Sequence, residues 1–166
     1  IISSMTNSYQ SALGKYYTDD ERTLLISNFE KFNRFNLFIS IAMFGTCIIL
    51  INPFVALYTA DVHDINYIQP IFSILIVVAN MIFCIREPYR VLVLAAGKFK
   101  ETNVGAIVEA VINLILSILL IKHFGLIGVA VGTILAILYR FIYLIIYLKV
   151  INIIKMQTKH CLMKKS

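Results

Sequence analysis

Two apolar runs joined by a short corner constrain this chain more than any other feature. One extends from Val104 to Ile121, the corner is Lys122-His123-Phe124-Gly125, and the second continues to Leu148. About 20 mainly apolar residues at the helical rise cross a hydrocarbon layer ~30 Å thick, and each run is that long. With 60% hydrophobic residues in 166 and a mean hydropathy of +0.85, the chain carries more apolar surface than one soluble core of this size buries. The sequence therefore predicts an all-α, polytopic membrane helix bundle.

A pass along the chain gives four spans. Residues 1–14 read as the end of a preceding membrane helix. Thr18-Asp19-Asp20-Glu21 has capping-box spacing, in which the Thr18 hydroxyl and the Glu21 carboxylate satisfy orphan amides at a helix start. A short interfacial helix is expected to follow, with Leu24, Leu25, Phe29 and Phe32 on one side and Arg22, Glu30 and Lys31 elsewhere. Residues 1–33 thus form the helix end and linker, 34–148 the four-helix region and 149–166 a basic tail. The spans are 35–58, with Asn52-Pro53 near its far end; 67–96; 103–121; and 126–148. The second span is interrupted by Arg86-Glu87-Pro88-Tyr89-Arg90. Proline there frees a backbone carbonyl one turn back, which water or a side chain must satisfy.

Loops rich in lysine and arginine stay on the cytoplasmic side. Lys15, Arg22, Lys31 and Arg34 precede the first span, Lys98 and Lys100 follow the second, and Lys149, Lys155, Lys159, Lys164 and Lys165 follow the fourth. The intervening loop offers Asp61, His63 and Asp64 but no lysine or arginine, and the last corner only Lys122. Both ends are expected on the cytoplasmic face of the cell membrane. The net charge of +6 reads as this topology signal and as affinity for anionic lipid headgroups. No basic groove with interleaved aromatics suggests nucleic acid. The opening Ile1-Ile2-Ser3-Ser4 is neither an initiator nor a signal peptide, so the chain is expected to be a fragment of a longer protein.

Polar groups inside the spans are the functional candidates, because lipid penalises them. Counting the rise inward from the cytoplasmic helix ends places Arg90 and Glu109 ~9 Å deep, Arg140 ~12 Å and Arg86 ~15 Å. One arginine at a helix centre costs roughly 2.5 to 3.5 kcal/mol. Three arginines with Glu87 and Glu109 at similar depth therefore point to pairing around a hydrated cavity. Snorkelling of Arg90 and Arg140 to the interface and purely structural ion pairs are the competing readings.

Asn113 and Ser117 follow Glu109 at four-residue spacing and read as interhelical glue, as does Asn80. Gly128, Gly132 and Ala136 form a small-residue row for close helix packing, which Arg140 continues. Tyr139, Tyr143 and Tyr147 read as interface belt residues. Cys47, Cys84 and Cys161 form no metal or disulfide pattern. There is no phosphate-binding glycine loop, H-E-x-x-H or nucleophile elbow, so neither an enzyme nor a metal or other cofactor is expected.

The stretch Arg90-Val-Leu-Val-Leu-Ala-Ala-Gly97-Lys98-Phe99-Lys100-Glu-Thr102, with Gly105-Ala-Ile-Val-Glu109-Ala-Val-Ile-Asn113 and Phe124-Gly125-Leu-Ile-Gly128-Val-Ala-Val-Gly132-Thr133, resembles the polysaccharide and lipid-linked oligosaccharide flippases. That family shares a superfamily with the multidrug and toxin extrusion antiporters and the lipid II flippases. The likeness is strongest from Arg90 to Tyr143, and Asn52-Pro53-Phe54 and Ile68-Gln69-Pro70 also fit it. It implies two six-helix bundles around an alternately opening cavity, with the spans here closing the second bundle and the remaining helices of the full-length transporter as partners. It also implies a cationic cavity for the diphosphate of an undecaprenyl-linked glycan, for which Arg86, Arg140 and Arg90 are this chain's candidates. Glu109 and Glu87 are then candidates for ion coupling or for ion pairs that neutralise the arginines. A cation-coupled drug antiporter and a non-transporting scaffold of a glycan-assembly complex are the alternatives.

Overall fold

A computed structural model describes residues 2–18, 21–60 and 69–163, with side chains for 9–17, 21, 23–60 and 69–150. The described chain is helical throughout: α1 (Ile2–Thr18), α2 (Arg22–Tyr58), α3 (Pro70–Ala95) and α4 (Phe99–Met163). Three of these, α2, α3 and α4, contain stretches long and apolar enough to cross a membrane. The Asp61, His63 and Asp64 loop, the Thr18 hydroxyl and the tail side chains from Ile151 onward lie outside the described residues.

α4 is divided by Gly125, whose backbone (φ 56°, ψ −136°) is not helical. A side chain is strained in that region and glycine is not. It separates an N-terminal arm (99–124) from a C-terminal arm (126–163). Gly97, at φ 76°, makes the preceding corner. Its amide donates to the Leu94 carbonyl at 2.9 Å and the Lys98 amide to the Val93 carbonyl at 3.3 Å. These paired bonds are a Schellman cap, which satisfies the last carbonyls of α3 and turns the chain into α4.

Two expectations are corrected here. Thr18 closes α1 and does not open the next helix: Glu21 stands at the N-cap of α2, and no side chain among the described residues caps it. Nor does a separate interfacial helix precede the first span. α2 runs as one helix of 37 residues, through Pro53. Leu24 is exposed, whereas Phe32 is buried and stacks on Tyr9 of α1 with ring centroids 4.1 Å apart. The inward line on α2 is Phe29, Phe32, Asn36 and Ser40, at helical spacing. α4 is helical past Leu148 as well, into the residues read as a basic tail.

α3 is the central helix. It packs against α1, α2 and α4, while no packing between α2 and α4 is found among the described residues. Only 6% of the most apolar window of α2, and likewise of α4, is buried within the chain, against 22% for α3. The outer helices therefore turn Phe38, Ile49, Leu57, Ile107 and Leu114 outward, as lipid-facing helices do. Tyr89 on α3 links its neighbours by edge contacts to Phe29 of α2 (5.6 Å) and Phe141 of α4 (5.3 Å).

Candidate functional site

The two arms of α4 run antiparallel at close range. A β-carbon added to Gly128 would stand 2.5 Å from the Leu120 carbonyl oxygen, and one on Gly132 3.1 Å from the Ser117 amide nitrogen. Further along the same seam, Gly105 leaves room for Tyr143 and Arg140, and Ala136 is buried. Asn113 Oδ1 accepts hydrogen bonds from Ser117 Oγ within its arm and from Thr133 Oγ1 across the seam, both at 3.2 Å. This register sets Glu109 of one arm opposite Arg140 of the other.

Glu109 is the centre of the site. Its Oε1 accepts from Arg86 Nη1 of α3 at 2.6 Å and its Oε2 from Arg140 Nη1 at 3.0 Å. One carboxylate thus ties α3 to both arms. Arg140 Nη2 donates to the Thr102 carbonyl at 3.0 Å, and the Arg86 guanidinium lies 4.6 Å from the Phe83 ring centre, a favourable cation–π distance. Arg90 and Glu87, one turn apart on α3, form a separate pair in which Arg90 Nε and Nη2 both donate to the carboxylate. The three arginines and two glutamates therefore leave one positive charge over. The Nε atoms of Arg86 and Arg140 are buried and have no hydrogen-bond partner among the described residues, a costly state for a charged donor away from water.

A second polar arrangement holds α3 to α2. Pro88 has no amide to offer the Cys84 carbonyl four residues earlier. Asn36 Nδ2 of α2 donates to that carbonyl at 2.8 Å, filling the vacancy that the sequence implied. Asn36→Leu is expected to destabilise the protein by about 1 to 3 kcal/mol, the cost of orphaning a buried acceptor. Restoring the amide with Pro88→Ala is expected to remove most of that cost. A double-mutant cycle on detergent-solubilised protein, with unfolding followed by circular dichroism, checks both expectations, and strictly additive effects would show that the contact stabilises nothing.

A wide-open surface cavity of about 250 Å³ lies beside the cluster, with walls that include Phe83, Ala106, Glu109, Asn113, Thr133 and Ala136. Neither Arg86 nor Arg140 is among its walls. Their side chains are 3% and 5% exposed, that of Glu109 17%. The geometry thus brings together Arg86, Glu109 and Arg140, with Asn113 and Thr133 along the cavity, and keeps Arg90 with Glu87. Asn80 links no two helices by a hydrogen bond among the described residues: it is exposed and donates to the Ile76 carbonyl of its own helix at 2.8 Å. Asn36, Thr102 and Thr133 were not foreseen as contributors. Only Asn36 left a sequence signal, as an asparagine in an apolar stretch. No protein-family model, curated protein or solved structure matches the chain.

Proposed function

We propose that this chain is part of a non-enzymatic membrane transporter that moves a lipid-linked oligosaccharide or polysaccharide precursor across the cytoplasmic membrane by alternating access. The observation that carries the reading is the buried Arg86–Glu109–Arg140 cluster, which has positive charge in excess and stands beside a cavity between apolar helices. Ionised groups at lipid depth are expensive to place, and they mark pathways more often than scaffolds. Guanidinium groups suit a diphosphate because their planar fork donates paired hydrogen bonds and stays charged when desolvated. In this reading the apolar stretches make four crossings, counting the two arms of α4 separately, with both ends cytoplasmic. The missing helices of the transporter complete a two-bundle exporter fold, and the substrate is an undecaprenyl-diphosphate-linked glycan. Population shift between inward-open and outward-open forms drives export to the extent that the ligand binds the two forms unequally.

Arg86→Gln and Arg140→Gln in the full-length protein are each expected to lower glycan export about tenfold to a hundredfold at equal protein level. That is the worth of a hydrogen bond to a charged group. Export at the wild-type rate in both variants would remove these residues from the substrate path. One observation favours a second reading, a cation-coupled multidrug antiporter: Glu109 is the acidic group on the cavity wall. In that case Glu109→Gln abolishes drug efflux and leaves glycan export untouched.

A further inference from the structure

The arginines and the cavity are not in direct contact. Glu109 stands on the cavity wall, neither arginine does, and both carboxylate oxygens are engaged, one by each guanidinium. In charge and in the spacing of two oxygens the carboxylate resembles one O–P–O edge of a phosphate tetrahedron. The fit is incomplete, because both Nε donors are buried without a partner among the described residues and two positive charges face one negative charge. A phosphate bearing two negative charges would balance the two arginines and offer more acceptor oxygens than the carboxylate does.

We infer that Glu109 is a built-in competitor: its carboxylate occupies the anion site formed by Arg86 and Arg140, and a phosphate-bearing ligand in the cavity reaches them by displacing it. The inference rests on the reading that these arginines receive an anion and adds how access to them is controlled. The displaced carboxylate has somewhere to go, because it already borders the cavity and its side chain ends in rotatable bonds. The arginines stay in place, Arg140 through the Thr102 carbonyl and Arg86 against Phe83. Weak binding at rest is the consequence, since each binding event must break two charged contacts before it makes its own.

The test is titration of inorganic pyrophosphate into the full-length protein in phosphatidylcholine nanodiscs, read by calorimetry. Glu109→Gln, which keeps the shape and loses the charge, is expected to bind about tenfold tighter than wild type, within the usual range of coupling between two ligands. Glu109→Asp keeps the charge and therefore guards against a folding defect. Its shorter reach withdraws from one arginine, and it is expected to fall between the two. Arg86→Gln and Arg140→Gln are expected to lose binding. If the glutamine and aspartate variants bind no tighter than wild type while the arginine variants lose binding, the anion site stands and the competitor is overturned. If the arginine variants bind as wild type does, or no form binds, the anion reading falls and the competitor falls with it. Repeating the series in discs containing phosphatidic acid identifies the source of the phosphate. Weaker apparent pyrophosphate affinity there points to a lipid-borne group and unchanged affinity to a soluble one, and the same ordering of variants supports the competitor in both lipids.

Discussion

Glu109→Leu is expected to be among the most destabilising single substitutions in this chain, at about 3 to 5 kcal/mol. Removing one partner of a buried ion pair leaves an uncompensated charge, and here it leaves two, Arg86 and Arg140, whose side chains are almost fully buried. Leucine also forfeits the carbonyl oxygen that glutamine would retain as an acceptor, so the leucine variant should unfold well before Glu109→Gln. The same physics predicts a rescue. Replacing all three members with methionine removes the charges together with the need to pair them, and such replacements in buried clusters are commonly neutral or stabilising. The triple variant is therefore expected to recover much of the lost stability in a thermal-melting measurement while exporting nothing. A Glu109→Leu protein that melts with wild type would show that the two bridges contribute no net stability.

Gly128→Leu is expected to cost about 3 kcal/mol through overpacking. Even the first carbon of a side chain there would lie 2.5 to 2.9 Å from Leu120, and the closest atoms are backbone. Backbone does not move aside as the tip of a side chain does, so the two arms of α4 must separate. Separation disturbs the register that sets Glu109 opposite Arg140, and loss of function should accompany loss of stability. Gly45 provides the control. It lies within α2, and a β-carbon added to it meets nothing within 4 Å. Gly45→Ala is therefore expected to gain up to about 1 kcal/mol from helix propensity. Melting temperatures of both variants in one detergent check the contrast, and a harmless Gly128→Leu would mean that the seam is looser than the geometry says.

Much of this arrangement is legible in the residues, and the boundary of legibility has a physical basis. Run length and glycine position mark the apolar helices and the breaks at Gly97 and Gly125, because both are properties of a chain segment by itself. The same holds for the acceptor that Pro88 frees. Its donor is a different matter: Asn36 is 48 residues away, and nothing along the chain says which face of α2 will meet α3. Depth along the helix axis places Arg86, Glu109 and Arg140 in one slab, but depth says nothing about helix rotation. Rotation decides that Glu109 is shared while Arg90 keeps to Glu87. Local signals also misled. The Thr18-to-Glu21 spacing suits a helix start, yet α1 continues through Thr18, and the Glu21 amide donates to the Tyr16 carbonyl. The change from amphipathic to apolar sequence marks the expected end of a separate interfacial helix at Asn33, but a change in side-chain character does not interrupt the backbone ladder. No proline or glycine stands there to do so.

The unbroken course of α2 has a mechanical consequence. Its 37 residues span about 55 Å at the helical rise, well over the ~30 Å of a hydrocarbon core, so a helix of this length crossing such a core would project well beyond it. Pivoting the helix by about 5° at one end sweeps the other through roughly 5 Å. Near its start it grips α1 through Phe32 and Tyr9, and a turn later it holds α3 through Asn36. A displacement of α3 that tilted α2 through these two contacts would therefore be largest at the far end of α2, near Tyr58.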